Sequence, residues 1–185
     1  MKRILSTFAL AFFGMLALAQ DNVPPGIRME ISEAEENQRQ YSLFYYKDND
    51  GTEGYYLSLG REYKILEIEE EDIFSASVSH LDETCIWMGS TLDETLASLD
   101  GFMDLLDKDA GYSTTIPCRL SSGMGRLGES SSATCVVVKR VLQGKRLSFT
   151  FKSGQHTGQT DITKSSIKSL RFGINLYKKI HPKAK

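Results

Sequence analysis

Twice along this chain the hydrophobic period changes from two to 3.6, each time after a series of short alternating runs. Thr91 and Glu94 have the spacing of a capping box, in which a hydroxyl and a carboxylate satisfy orphan amides at a helix start. Leu92, Leu96, Leu99, Met103 and Leu106 follow at helical spacing, with Leu105 beside them. Ile167, Leu170, Ile174 and Tyr177 form a second stripe, which runs to the break near Pro182.

The runs before each stripe read as strands. Residues 41–46 (YSLFYY) and Tyr55 to Leu59 flank the turn chemistry of residues 47–54, which predicts a hairpin. Tyr63 to Asp72, the alternating Phe74, Ala76 and Val78, and Cys85 to Met88 continue the pattern. In the second half, Thr114 to Leu120, Ala133 to Val141, Leu147 to Phe151 and residues 155–160 read as strands, with Ser121 to Ser132 as a loop. Strands grouped ahead of helices predict an α+β fold rather than alternating β/α. The expected architecture is an antiparallel β-sheet with two amphipathic helices packed on one face.

An offset of 71 sets Leu96 on Ile167, Leu99 on Leu170 and Met103 on Ile174. An offset of 73 sets Phe74, Ala76 and Val78 on Leu147, Phe149 and Phe151. Both overlays suggest two strand-rich, helix-closed pseudo-repeats. The expected division is a signal peptide at 1–19, a flexible polar lead-in at 20–40 and one α+β domain at 41–185. That domain splits into halves at 41–110 and 111–185.

Lys2 and Arg3, the apolar run from Ile4 to Leu18 and the small residues of Ala17-Leu18-Ala19 have the pattern of a Sec-type signal peptide. Cleavage is expected between Ala19 and Gln20, which makes the protein secreted or periplasmic. No later segment is long enough to span a bilayer. The three cysteines then become a redox question. Cys118 and Cys135 lie in runs flanking a Gly/Ser-rich connection, so a disulfide between them is one expectation and three buried thiols the other.

The formal charge of −2 conceals a division. Residues 20–109 hold 22 acids and 6 bases, a net of −16, whereas residues 110–185 hold 2 acids and 14 bases, a net of +12. Such a field calls for an answering one: the opposite half, another exported protein, or an anionic surface.

No motif supplies chemistry. GMGRLG (123–128) matches a dinucleotide fingerprint literally but runs into a Val-rich strand where a helix is needed. DNDGTEG (48–54) fails the EF-hand register, because Tyr46 and Leu57 fall where carboxylates are required. The scattered His80, His156 and His181 do not form a metal set, and no cofactor is expected. Nucleic acid is not an expected ligand for an exported chain without a binding motif.

The expected function is therefore non-catalytic binding or inhibition through charged surfaces. The partner-binding residues would be Lys139, Arg140, Lys145, Arg146, Lys164, Lys168, Arg171, Lys178 and Lys179. One alternative is a small exported hydrolase using the turn from His80 to Cys85 or the acidic strand 67–72. The other is peripheral binding of a membrane surface by the basic C-terminal helix.

Overall fold

A computed structural model describes residues 23–36, 39–63, 81–122, 126–141, 144–153, 156–182 and 184. Among the described residues, four strands precede the first helix: β1 (Arg28–Glu36), β2 (Arg39–Lys47), β3 (Glu53–Tyr63) and β4 (Leu81–Gly89). Helix α1 (Leu92–Asp107) follows. Four more strands, β5 (Ser113–Ser122), β6 (Leu127–Arg140), β7 (Gly144–Ser153) and β8 (His156–Thr163), lead into helix α2 (Lys164–Ile180). All eight strands form one sheet in sequence order, antiparallel throughout. The fold class is α+β, as the change of period predicts.

Both helices bury their apolar stripes on the same sheet face. Leu92, Leu99, Phe102 and Leu106 of α1 join Ile167, Leu170, Ile174 and Tyr177 of α2 over Leu43, Leu57, Ile86, Val137, Leu147, Phe149 and Ile162. Burying one such leucine or isoleucine is worth about 1.5–3 kcal/mol, so this stripe dominates the stability of the fold. The sheet is strongly curled. Tyr41 Oη of β2 donates to the Asp161 carbonyl of β8 at 2.5 Å, and Thr160 Oγ1 donates to the Leu59 carbonyl of β3 at 3.2 Å.

The capping box forms with one change. Thr91 Oγ1 accepts from the Glu94 amide at 3.2 Å, while the Glu94 carboxylate reaches back to the Ser90 amide at 2.6 Å rather than to that of Thr91.

Three expectations need correction. Residues 28–36 are not flexible lead-in but strand β1, with Ile31, Ser32 and Ala34 buried. A bulge between Glu30 and Ser32 breaks the alternation that would have revealed the strand, and α2 supplies its cover. The Gly/Ser-rich stretch is strand from Leu127 onward, although Ser130, Ser131 and Ser132 are exposed. Beyond the buried Leu127, backbone pairing to β5 rather than side-chain burial holds these serines. Cys118 and Cys135 are not bonded, and all three cysteines are free and buried. Cys118 stands opposite Ser131 and Cys135 opposite Thr114. That four-residue offset is about 13 Å along a strand, roughly twice the Cα separation a disulfide accepts. The expected strands of residues 64–80, and with them the overlay of Phe74 to Val78, lie outside the described residues.

Candidate functional site

The two helices run antiparallel and carry opposite charge. Helix α1 holds Asp93, Glu94, Asp100, Asp104 and Asp107 and no base; α2 holds Lys164, Lys168, Arg171, Lys178 and Lys179 and no acid. Lys178 pairs with Asp93, and Arg171 Nη1 meets Asp100 Oδ1 at 2.8 Å. Both rungs are seven residues apart on each helix, which is two turns. They mark the relative level of the two helices.

Each helix also borrows from the other half of the chain. No acid stands in the first turn of α2, where the helix dipole favours one. The Glu36 carboxylate of β1 fills that place, accepting from Thr163 Oγ1 and from Ser166 Oγ at 2.6 Å. No base stands in the last turn of α1. Lys145 of β7 supplies one, its Nζ donating to the Lys108 carbonyl at 2.6 Å.

These contacts sort the nine basic residues expected to bind a partner. Arg140 and Arg146 share Asp161 at 2.8 and 3.3 Å, with Arg146 buried. Lys145 caps α1, while Arg171 and Lys178 bridge to it. Lys139, Lys164, Lys168 and Lys179 are exposed and make no ion pair among the described residues. The basic patch expected at Lys139, Arg140, Lys145 and Arg146 is thus largely consumed inside the fold.

Sequence reading missed the outer ridge of α2. Phe172, Leu176 and Ile180 are 71%, 49% and 47% exposed, one turn apart in sequence. Lys168 stands one turn before Phe172 and Lys179 two turns after it, both exposed on the same outward face. The spacing of four was visible, but it is masked by the stronger buried stripe on the other side of the same helix.

The opposite sheet face carries a second cluster: Phe44, Tyr46, Tyr56, Cys85 and Leu127, with Trp87 against it. Arg28 lies across it, its guanidinium 4.3 Å above the Phe44 ring. It bonds Glu83 Oε2 at 2.6 Å and Ser121 Oγ at 3.0 Å, and lies 3.8 Å from Cys85 Sγ. Ser58 Oγ donates to the second oxygen of Glu83 at 2.5 Å. Burial, reinforced by Glu83 and opposed by Arg28, pushes the Cys85 thiol far above the ordinary range. A thiol that is fully buried and held protonated is a poor nucleophile. His80 and residues 67–72 lie outside the described residues. Glu30, at the rim of this face, has its carboxyl raised to about 7. Loss of solvent around the carboxyl is the largest cause, although the residue as a whole stays exposed; Ser42 and Arg28 oppose it, and Glu33 and Glu83 add to it.

The acidic turn at 48–52 is closed on itself. Asp48 Oδ1 accepts from the Asn49 amide and Asp50 Oδ1 from the Thr52 amide, both at 2.8 Å. Asp48 Oδ2 also pairs with Arg119 at 2.9 Å. Among the described residues no group of acids, histidines or cysteines has metal-site geometry, and no helix is long and apolar enough to cross a membrane.

Comparison with protein-family models, curated proteins and solved structures finds no significant match to the chain.

Proposed function

We propose that the chain is an exported, non-catalytic binding module whose working surface is the two-helix layer. Its ligand is a helical protein surface that presents acids beside small or apolar side chains. The observation that carries this reading is the outer ridge of α2: three exposed apolar residues in line, with unpaired lysines alongside, on a helix without an acid. Scattered exposed apolar residues are ordinary, whereas a contiguous line rimmed by charge marks an interaction surface. The signal-peptide pattern, with cleavage between Ala19 and Gln20, supports export. Among the described residues, the recurrence of a run of strands closed by an amphipathic helix supports an origin by internal duplication.

The neighbouring helix α1 carries five acids, which weighs against an anionic bilayer as the ligand. A photo-crosslinking amino acid at position 172 or 176 tests the reading in cells exporting the protein, with position 35 on the opposite sheet face as control. Protein adducts are expected at 172 and 176, and they should disappear when Lys168 and Lys179 are both changed to Glu. No more adduct at 172 than at 35 would overturn the proposal. Co-sedimentation with phosphatidylglycerol vesicles that depends on Phe172 would replace it with the membrane reading.

A further inference from the structure

We infer that the helix layer receives a second copy of this chain, bound about a two-fold axis parallel to the helices so that α2 of each copy lies on α1 of the other. The inference rests on the helix layer being the working surface. A symmetric interface must be self-complementary, because the same patch faces itself. A layer built from one helix of five acids and one of five bases meets that demand: rotation sets each helix against its opposite. The same rotation keeps crossing helices antiparallel, as in an up-and-down four-helix arrangement.

The two ion-pair rungs make the geometry specific. Asp93 stands level with Lys178, and Asp100 with Arg171. An axis parallel to the helices preserves these levels between copies. Phe172 then arrives level with Leu99 of the second copy, between Ala97 and Gly101 on the outer line of α1. A Cβ added at Gly101 would meet nothing within 4 Å, so that line has an open notch where the ring arrives. Lys168 comes level with Met103 and beside Asp104, which is exposed and makes no ion pair among the described residues. Lys179 comes level with Leu92, beside Glu94. Apolar knob, notch and both flanking charges therefore match without any adjustment of register. Two helices of about 25 Å, side by side at about 10 Å, offer roughly 500 Å² of projected face per copy. That is the low end for specific association, so the dimer is weak and concentration-dependent.

Sedimentation velocity of the mature protein over a concentration series is the test. Dimer is expected to grow with concentration and to weaken as salt rises. Lys168→Glu and Asp104→Lys should each weaken it about tenfold, since each places like charges together at two symmetric sites. An equal mixture of the two variants should associate as strongly as the parent. Phe172→Glu should abolish the dimer while leaving circular dichroism unchanged, because residue 172 is 71% exposed. A parent that stays monomeric throughout, a dimer indifferent to Phe172→Glu, or a mixture that does not recover would overturn the inference. A monomer that still yields crosslinks at 172 to another protein would remove the second copy and leave the docking reading standing. No crosslink at all would remove both.

Discussion

Helix α2 crosses β1 at Gly173, and the closeness of that crossing can be measured by replacing one hydrogen. A Cβ built on Gly173 would lie 2.0 Å from Ser32 Oγ, 2.7 Å from Ser32 Cβ and 3.4 Å from Ser32 Cα. Ser32 cannot simply turn aside, because its Oγ donates to the buried Leu170 carbonyl at 3.0 Å. Gly173→Ala gains about 1 kcal/mol of helix propensity. Against this stand an overpacking cost of about 1–3 kcal/mol and about 1 kcal/mol for the lost hydrogen bond. The net is a loss of about 1–3 kcal/mol, or a fall in Tm of roughly 3–10 °C for a chain of this size. Gly101 in α1 is the matched control, with nothing within 4 Å of an added Cβ. Gly101→Ala should therefore raise Tm by roughly 1–4 °C. Thermal melts at two protein concentrations separate these effects from self-association. Adding Ser32→Gly to Gly173→Ala should recover more than adding Ser32→Ala, since the alanine keeps the 2.7 Å contact. A Gly173→Ala protein that melts at or above the parent temperature would refute the reasoning.

Arg28→Met strips the charged partner from Glu83, whose side chain is 7% exposed and keeps only Ser58 among the described residues, and should cost about 3–5 kcal/mol in urea unfolding. Adding Glu83→Gln should recover most of it, and a loss below about 1 kcal/mol from Arg28→Met would show the pair to be solvated. Glu30 has a folded pKa raised from 4.5 to about 7, so its contribution to stability is present at low pH and is lost as pH rises through that window. Glu30→Gln should therefore raise Tm relative to the parent more at pH 8 than at pH 4.5, by a modest amount because solvent screens a rim position. The opposite order would contradict that loss of solvent. The three thiols should be unreactive to Ellman's reagent in the native protein and all titrate in denaturant without reductant. One titratable thiol instead of three would mean a disulfide.

What could be read from the sequence follows the range of the forces involved. The β2–β3 hairpin and both helices rest on local chemistry: turn residues at 48–51, Thr91 with Glu94, and stripes that bury their own side chains. Strand β1 escaped because its cover, α2, lies more than a hundred residues away and its bulge breaks the alternation. The serines of β6 escaped because a strand held by its ladder leaves no apolar mark. The Arg28–Glu83 pair joins residues 55 apart, and nothing near either one signals the other. The ridge of Phe172, Leu176 and Ile180 has a local signal at a spacing of four, but the stronger buried stripe of the same helix hides it.

The charge division is the feature whose meaning changed most. Opposite halves call for an answering field, in the other half or on a ligand, and Asp48 pairs with Arg119, Asp93 with Lys178 and Asp100 with Arg171 across that division. The acidic half lends Glu36 to the start of the basic helix, and the basic half lends Lys145 to the end of the acidic one. Each loan meets the sign of the helix dipole that the borrowing helix leaves unanswered. Charge segregation along the chain thus specifies how the halves join, because like-signed alternatives would repel at every one of these points. The same logic extends outward. A layer that satisfies only its inner rungs leaves Lys168, Lys179 and Asp104 unanswered, and a two-fold copy of the layer answers all three.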